Sequence, residues 1–235
     1  MAVRLLDDYA GWLQSDGYEA YASAAKNRPI KLLGCFAHAR RKFDEAIKAQ
    51  GKIPRKAGHA AKGMTYIQKL YRIEQAIKAE KPAVRLVTRQ QQAQPVLEAM
   101  REWLDSALRE VAPGSLTGKA VHYLNQQWNK LIRYVENGRL SIDNNACENA
   151  IRPFVIGRKG WLFCDTVAGA KASANLYSLV ETAKANGWEP YAYLRRVFTE
   201  LPKAQTLEDI EALLPYQKAA QQPTSQASSD VDGVD

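Results

Sequence analysis

The chain has 235 residues, a mass of 26.3 kDa and 46% hydrophobic residues, which suits one large or two small globular domains and argues against wholesale disorder. Its net charge of +8 and pI near 9.3 favour a polyanionic partner, although a merely basic protein would carry the same charge. No apolar run approaches the roughly 20 residues that cross a bilayer, and no signal peptide begins at Met1.

The cysteine and histidine residues form no recognisable framework. The three cysteines are widely separated, contain no CxxC pair and leave one unpaired, so the sequence indicates neither a zinc site nor a disulfide network. The three histidines also lack metal-ligand spacing. We therefore expect a reducing, cytoplasmic compartment. The residues concerned are Cys35, Cys147, Cys164, His38, His59 and His122.

Two short apolar runs near the N-terminus predict strands. Residues 12–15 precede Asp16-Gly17, so the Asp16 carboxylate is expected at a strand exit, where sites gather in open α/β sheets; the alternative is an ordinary Asp-Gly turn. Residues 30–36 predict a second strand, which leads into a helix over 37–50. That helix opens with Arg40-Arg41-Lys42, which oppose the helix dipole and therefore indicate either phosphate binding or a solvated basic face.

The centre of the chain reads as helical. His38, at the junction of the second strand and its helix, suits a structural histidine as well as a DNA or metal contact. From residue 64 to 136 the apolar residues recur at helical spacing. The aromatic residues of this block, Tyr71 and Tyr123 among them, are interpreted as core.

A polar stretch from Leu140 to Pro153 predicts a helix that carries Glu148 among amides and an arginine. We expect Ser141 or Asp143 to cap this helix, because their side chains can accept backbone N–H bonds. Pro153 is expected to end or kink it, since proline lacks the N–H. The residues predicted to face a core are Ile142, Ala146 and Ala150.

Glu148 lies off that apolar stripe, beside Asn144, Asn145 and Arg152. An ordinary exposed helix with an i,i+4 pair of Glu148 and Arg152 would account for it, and such a pair is worth about 0.2–0.5 kcal/mol. Residues 157–161 follow as a predicted basic turn with an aromatic residue. Such a turn suits close approach to phosphates, although Gly-Arg-Lys-Gly is also simply a good turn sequence.

Four stretches of the chain contain distinctive residue patterns. They read QSDGYxxY over residues 14–21, GCxAHARRKF over 34–43, DNNxxExxIRP over 143–153 with GRKxWLF over 157–163, and NGxxPYxYL over 186–194. Each alone is a weak signal. In this order, they closely resemble the transposases of the insertion sequence 66 family, and the resemblance extends from about the N-terminus to Leu214.

The resemblance implies an Asp-Asp-Glu site that binds Mg²⁺ or Mn²⁺, in which Asp16 is the second metal-binding aspartate and Glu148 the glutamate. The implied reaction is DNA transposition, that is, 3′-end cleavage and strand transfer of a bacterial mobile element by a homo-oligomer on DNA. The candidate DNA contacts are His38, Arg40, Arg41, Lys42, Asn144, Asn145, Arg152, Arg158, Lys159 and Trp161.

The implied fold is a helix-rich α/β class, a partial ribonuclease-H-like domain with an all-helical insertion and a small helical C-terminal region. Residues 1–54 would form the second half of the ribonuclease-H-like sheet and 55–138 the helical insertion. Residues 139–186 would carry the glutamate-bearing helix and the return to the catalytic core. The C-terminal family region would span 187–215, and the polar residues 216–235 would be a disordered tail.

One departure from the family concerns its first catalytic aspartate, which lies on a strand upstream of the Asp16 strand, whereas here Met1 stands just before Asp16. We therefore expect the C-terminal piece of a transposase, inactive alone, that needs a separate N-terminal fragment or has lost activity. One alternative is a non-catalytic DNA-binding or inhibitory module. Another is an unrelated helical protein whose basic faces are only solvated.

Overall fold

A computed structural model describes residues 6, 8–49, 58–161 and 164–216. The described chain is predominantly helical and divides into two compact units, residues 1–146 and 147–235. None of the described helices is long and apolar enough to cross a membrane. Most of the predicted tail, from residue 217 onward, lies outside the described residues.

The first unit begins with a parallel pair of strands. Strand β1 (Gly11–Gln14) lies beside β2 (Ile30–Leu33) in register from Gly11 opposite Ile30 to Gln14 opposite Leu33, and helix α1 (Glu19–Ala25) connects them. Both predicted strands and the helix-rich α/β class are thus confirmed. Among the described residues this pair is the whole sheet, so the ribonuclease-H-like fold stays a prediction.

Helices form the rest of the first unit. Their apolar faces meet in one core, and they approach one another closely: a Cβ on Gly63 would lie 2.6 Å from the Phe43 ring and 2.8 Å from that of Trp103. The elements are α2 (Phe36–Ala49), α3 (His59–Ala76), α4 (Pro82–Thr88), a π-helical turn (Arg89–Ala93), α5 (Gln94–Glu110), α6 (Leu116–Leu131) and a 3₁₀ turn (Ile132–Glu136).

The π-helical turn joins α4 to α5 without a break in helical backbone, since Thr88, Arg89, Ala93 and Gln94 all keep right-handed helical torsions. Pro95 explains it, because a proline ring inside an α-helix clashes with the carbonyl four residues earlier and removes one hydrogen bond. Widening the helix by one residue before the proline relieves that clash. Such π-turns occur frequently at functional sites.

The second unit is helical throughout its described residues. Its small core contains Ala183, Trp188, Tyr193, Val197 and Leu213. Helix α7 (Asn145–Trp161) runs into this unit from the end of the first, and the elements that follow are α8 (Val167–Ala185), α9 (Pro190–Glu200), a 3₁₀ turn (Leu201–Lys203) and α10 (Leu207–Glu211).

Pro153 lies inside α7 and does not end it, so of its two predicted effects only the kink stays a prediction. The predicted basic turn over 157–161 is wrong, because these residues are the last part of the same helix. A tertiary contact outweighs these local signals, because the ring of Phe154 packs edge-to-face on Tyr177 of α8, with centroids 5.2 Å apart. Side-chain packing on α8 thus supports the half of α7 that contains the proline and glycines.

The predicted core stripe of the Glu148 helix is also only partly correct. Ile142 is buried, but Ala146 and Ala150 are exposed. The reason is that Ile142 precedes the helix: it lies in a bend, and its carbonyl accepts a hydrogen bond from the backbone N–H of Phe36 at 3.1 Å. Its burial therefore says nothing about which face of α7 is covered.

Candidate functional site

The carboxyl ends of the two parallel strands meet at one edge of the sheet, and Asp16 lies there. It follows β1 by two residues and is exposed. Its Oδ1 accepts the backbone N–H of Tyr18 at 3.0 Å, which closes a turn around Gly17. Gly17 has φ +94°, a torsion that side-chain-bearing residues rarely adopt. The turn therefore presents the Asp16 carboxylate to solvent at the edge where ligands bind in open α/β sheets.

Helix α6 supports this turn from behind. The Tyr123 hydroxyl donates a hydrogen bond to the backbone carbonyl of Asp16 at 3.2 Å, and a Cβ on Gly17 would lie 3.3 Å from the Gln127 amide group. Burial is the main reason that the pKa of Tyr123 rises to about 12; the charges of Cys35 and Asp16 add to the shift, and Arg41 opposes it. The tyrosine is therefore a neutral donor at physiological pH.

The segment before α7 reaches the same edge of the sheet. The side-chain amide of Gln14, the last residue of β1, donates to the carbonyl of Ser141 at 2.9 Å and to that of Gly34 at 3.2 Å. The backbone N–H of Asn144 points at the Cys35 sulfur, 3.5 Å away. Residues 141–145 include the sequence Asp143-Asn144-Asn145, the DNN motif. They therefore lie at the carboxyl edge, as Asp16 does.

Asp143 is the most heavily bonded carboxylate of this edge. Its Oδ2 accepts the Tyr71 hydroxyl at 2.7 Å and the Asn145 side-chain amide at 2.9 Å, and its Oδ1 accepts the Asn145 backbone N–H at 3.2 Å. The last of these bonds spans two residues and reaches only the first residue of α7, so it closes a turn before the helix, and the predicted capping role of Asp143 stays a prediction. Burial and the hydrogen bond to this carboxylate raise the pKa of Tyr71 well above its ordinary value.

Cys35, between β2 and α2, is buried, and burial raises the pKa of its thiol. A thiol that is buried and protonated is a poor nucleophile. Cys35 therefore packs the junction and accepts the Asn144 N–H, and it is a poor candidate for a nucleophile at this edge.

A buried arginine holds the chain that leads to the DNN motif. Arg89, in the π-helical turn, is fully buried and donates from Nε and Nη2 to both oxygens of Glu74, at 2.8 and 2.7 Å. Its other N–H groups donate to the carbonyls of Tyr134, Asn137 and Leu140, each at 2.8 Å. All five N–H groups of the guanidinium are thus used. The ion pair fixes the turn over 134–140 three residues before Asp143.

The same turn permits no side chain at Gly138, because a Cβ there would lie 1.8 Å from the Pro82 carbonyl oxygen at the start of α4. Arg85 adds a hydrogen bond to the carbonyl of Leu140 at 3.3 Å. The path of the chain into the Asp143–Asn145 segment is therefore determined by α4 and the π-helical turn.

The basic residues of α2 flank the edge on two sides. The Arg40 guanidinium lies over the Tyr71 ring, 5.5 Å from its centroid, and the Lys42 ammonium lies over the Tyr123 ring at 4.9 Å. Arg40 and Arg41 are exposed, and His38 is half-buried in the first turn of α2. A cleft of 520 Å³ between α2 and α3, the α2–α3 cleft, is lined by residues that include Arg40, Arg41, Asp44, Gln68, Tyr71 and Asn145.

The remaining predicted residues lie on α7. Glu148 is half-buried in its first turn, where a carboxylate complements the positive end of the helix dipole. Arg152, Arg158 and Lys159 are exposed further along the helix, and the side chain of Trp161 lies outside the described residues. The predicted site residues thus divide into an edge cluster in the first unit and a carboxylate with basic residues in the second.

Comparison with known families decides the identity of the chain. The family model described as "Transposase IS66 family" matches residues 1–172, and the model described as "IS66 C-terminal element" matches residues 178–216. The chain belongs to the IS66 transposase family. Both the Asp16 turn and the DNN motif fall within the first of these matches.

Curated relatives of this IS66 transposase chain come from Sinorhizobium fredii (strain NBRC 101917 / NGR234). The uncharacterized protein y4jD is 31% identical over 228 residues, covering 94% of this chain and 44% of the relative. The uncharacterized protein y4qI is 33% identical over 221 residues, covering 91% and 40%. The chain therefore spans less than half the length of these relatives. No solved structure matches it.

Sequence reasoning missed the residues that build this edge. Tyr71 and Tyr123 pack against the core as predicted, but their hydroxyl groups also bond to site segments, which the sequence does not indicate. Gln14 belongs to a family motif without a predicted role, and no pattern marks Arg89. The one local signal for the Arg89 turn is Pro95, six residues further along an otherwise helical pattern. The partners of these residues are distant in sequence, so no spacing rule predicts them.

Proposed function

We propose that this chain acts in DNA transposition by metal-dependent phosphoryl transfer, namely 3′-end cleavage and strand transfer. The observation that carries the proposal is that, in a member of the IS66 transposase family, Asp16 and the DNN segment meet at the carboxyl edge of a parallel strand pair. Asp16 and Glu148 are the proposed catalytic carboxylates. Asp143 would instead position the segment, because its oxygens already accept three hydrogen bonds.

The donor chemistry of this pair suits Mg²⁺ or Mn²⁺. Mg²⁺ is a hard cation that proteins hold through one or two carboxylates, with water and substrate phosphates completing its shell. The described residues contain no group of three or more His, Cys, Asp and Glu side chains that could hold a metal ion. Two carboxylates would leave the other positions around such an ion to water and substrate phosphates. When bound, such ions stabilise the charge of the attacking and leaving oxygens of a phosphodiester.

Basic and amide side chains of the chain would bind the DNA and position it at this site. Arg40, Arg41 and Lys42 are proposed to contact phosphates beside Asp16, with His38 at the start of the same helix. Asn145 lines the α2–α3 cleft with the two arginines, so its amide and the neighbouring Asn144 would orient a strand entering there. The residues proposed for the α7 surface are Arg152, Arg158, Lys159 and Trp161. A homo-oligomer on DNA completes the proposal.

A plasmid nicking assay tests the catalytic part. Supercoiled DNA is incubated with Mg²⁺ or Mn²⁺ and the wild-type chain, Glu148→Ala, or Glu102→Ala, the last a control that removes an exposed glutamate of α5. A parallel series adds a fragment that carries the upstream strands of a longer relative. We expect cleavage, alone or with the fragment, that Glu148→Ala abolishes and Glu102→Ala retains. Cleavage that persists in Glu148→Ala would contradict the assignment.

The second candidate is a non-catalytic DNA-binding or inhibitory module. The net charge of +8 and the exposed arginines of α2 favour it, since they need no second carboxylate to hold DNA. The same assay separates the two functions. DNA retention without any Glu148-dependent cleavage in either series would establish the binding module and reject the enzyme.

A further inference from the structure

A second basic cleft lies on the other side of α2, between that helix and α6. This α2–α6 cleft has a volume of 470 Å³ and no acidic residue in its lining. Lys42 comes from α2, whereas the other polar lining residues come from the helical block. The lining residues are Lys42, Pro113, Lys119, His122, Tyr123 and Gln126.

The cleft adjoins the Asp16 turn through a single side chain. Tyr123 lines the cleft, and its hydroxyl bonds to the backbone carbonyl of Asp16 at 3.2 Å. The Lys42 ammonium lies over the ring of the same tyrosine, at 4.9 Å from its centroid. A ligand in this cleft would therefore be one tyrosine ring away from the proposed catalytic turn.

The lining chemistry fits a phosphate better than a nucleobase. A base needs an open aromatic face to stack on, but Lys42 lies over the Tyr123 ring. Lysine ammonium groups are compact point charges that bind phosphate oxygens, and the cleft offers Lys42 together with the exposed Lys119. Gln126 adds an amide donor, and the buried Nε2 of His122 has no hydrogen-bond partner among the described residues.

The position of Lys119 adds a second reason. It lies in the first turn of α6, where a positive side chain opposes the helix dipole. The bound anion would offset that unfavourable interaction, because the N-terminal end of a helix attracts negative charge. A lysine that served only solubility would be better placed at the other end of the helix.

We propose that the α2–α6 cleft binds the phosphodiester backbone of the DNA strand that reaches Asp16, through Lys42 and Lys119. The inference rests on the proposed function, because it takes the substrate to be DNA, and it assigns to α6 a role in binding as well as in packing. The helical block would then form one wall of the DNA path. Arg40 and Arg41, on the α2–α3 side, would form the other.

The salt dependence of DNA binding tests this assignment. Binding of a short duplex of arbitrary sequence to the full chain is measured by fluorescence anisotropy over a range of salt concentrations. The variants are Lys119→Ala, Lys119→Arg, which keeps the charge, and Lys78→Ala, which removes an exposed lysine that lines neither cleft. Each phosphate contact contributes about 0.9 to the slope of log K against log salt.

We expect Lys119→Ala to lower that slope by about 0.9, Lys119→Arg to keep it, and Lys78→Ala to leave it near the wild-type value. Equal slopes for Lys119→Ala and Lys78→Ala, while the wild type binds DNA, would overturn the cleft assignment and leave the proposed function standing. Absence of DNA binding by the wild type would overturn both. Circular dichroism of each variant confirms that the fold is retained.

Discussion

The Asp16 turn and the Asp143–Asn145 segment lie at the same edge of the sheet, yet the carboxylates of their aspartates differ in exposure and in hydrogen bonding. Asp16 is exposed, and its carboxylate accepts one backbone N–H across a tight turn. Asp143 accepts three hydrogen bonds from Tyr71 and Asn145, and the chain before it is fixed by the buried Arg89. A carboxylate with its oxygens occupied holds structure, whereas an exposed one remains available to a metal or substrate. The difference separates a positioning aspartate from a proposed catalytic one.

The largest effect should come from breaking the ion pair behind the Asp143–Asn145 segment. Arg89→Met removes five hydrogen bonds and leaves Glu74 with only a longer one among the described residues, from Arg85 at 3.5 Å, and removing one partner of a buried pair costs about 3–5 kcal/mol. Urea denaturation measures the loss in the free energy of unfolding. The double variant Arg89→Met/Glu74→Met should lose less than the sum of the single variants, because neither charge is then left alone.

Hydrogen exchange of the Arg89→Met chain shows whether the loss of stability affects the Asp143–Asn145 segment more than the Asp16 turn. We expect the amides of Asn144 and Asn145 to lose more protection than that of Tyr18 in the Asp16 turn, because Arg89 bonds to the chain before the first segment. Equal loss of amide protection in both segments would mean that they open together. Arg89 would then not hold the Asp143–Asn145 segment separately from the Asp16 turn.

An isosteric pair of variants tests the comparison directly. Asp143→Asn turns an amide N–H toward either the Tyr71 hydroxyl or the Asn145 donors, and an unsatisfied donor of this kind costs about 1–3 kcal/mol. Asp16→Asn keeps the Oδ1 acceptor for Tyr18, so its free energy of unfolding should change by no more than about 0.5 kcal/mol. Denaturation of both variants beside the nicking assay gives the result.

The expected pattern is opposite for the two positions: Asp143→Asn lowers stability, whereas Asp16→Asn abolishes metal-dependent cleavage at unchanged stability. If Asp16→Asn instead destabilised the chain as strongly as Asp143→Asn, its carboxylate would be structural. The proposal that it binds metal would then lose its support.

Local sequence patterns were sufficient to predict the two strands and the position of Asp16 at a strand exit. The apolar run before Asp16-Gly17 predicted a strand exit, and the structure has β1 ending at Gln14. These patterns failed where a contact between residues distant in sequence determines the local structure. Pro153 and the glycines of 157–161 signal a break, but Phe154 packs on Tyr177 and the helix continues. The bond from Tyr71 to Asp143 spans 72 positions, and no periodicity in either stretch indicates it.

The Arg89 turn illustrates the same limit. A glutamine-rich, basic run gives no local sign of a buried arginine, and only the fold brings Glu74 and three carbonyls around Arg89. The family motif marked residues 143–145 as important without saying why. The hydrogen bonds supply the reason for Asp143, which connects α3 to the start of α7.

The smallest effect concerns the hydroxyl that bonds to Asp143. Tyr71→Phe removes one donor but leaves Asn145 on the carboxylate, so it should cost about 0.5–1.5 kcal/mol at neutral pH. Burial and Asp143 raise the pKa of Tyr71 in the folded chain above the ordinary value. The folded state therefore keeps a proton that the unfolded state loses above about pH 10, and stability falls as pH rises through that range by about 1.4 kcal/mol per pH unit for each such proton.

Urea denaturation between neutral pH and pH 11 measures this slope. Tyr71→Phe should flatten it by about one proton, because the retained proton is gone. Tyr123→Phe is the matched control: burial also raises the pKa of Tyr123, so this variant should flatten the slope as well. In the Asp143→Asn background Tyr71→Phe should flatten the slope by the same amount, because burial is the main cause of the raised Tyr71 pKa and keeps its proton on the folded chain in this pH range. A slope that Tyr71→Phe leaves unchanged would show that the folded chain does not hold the Tyr71 proton.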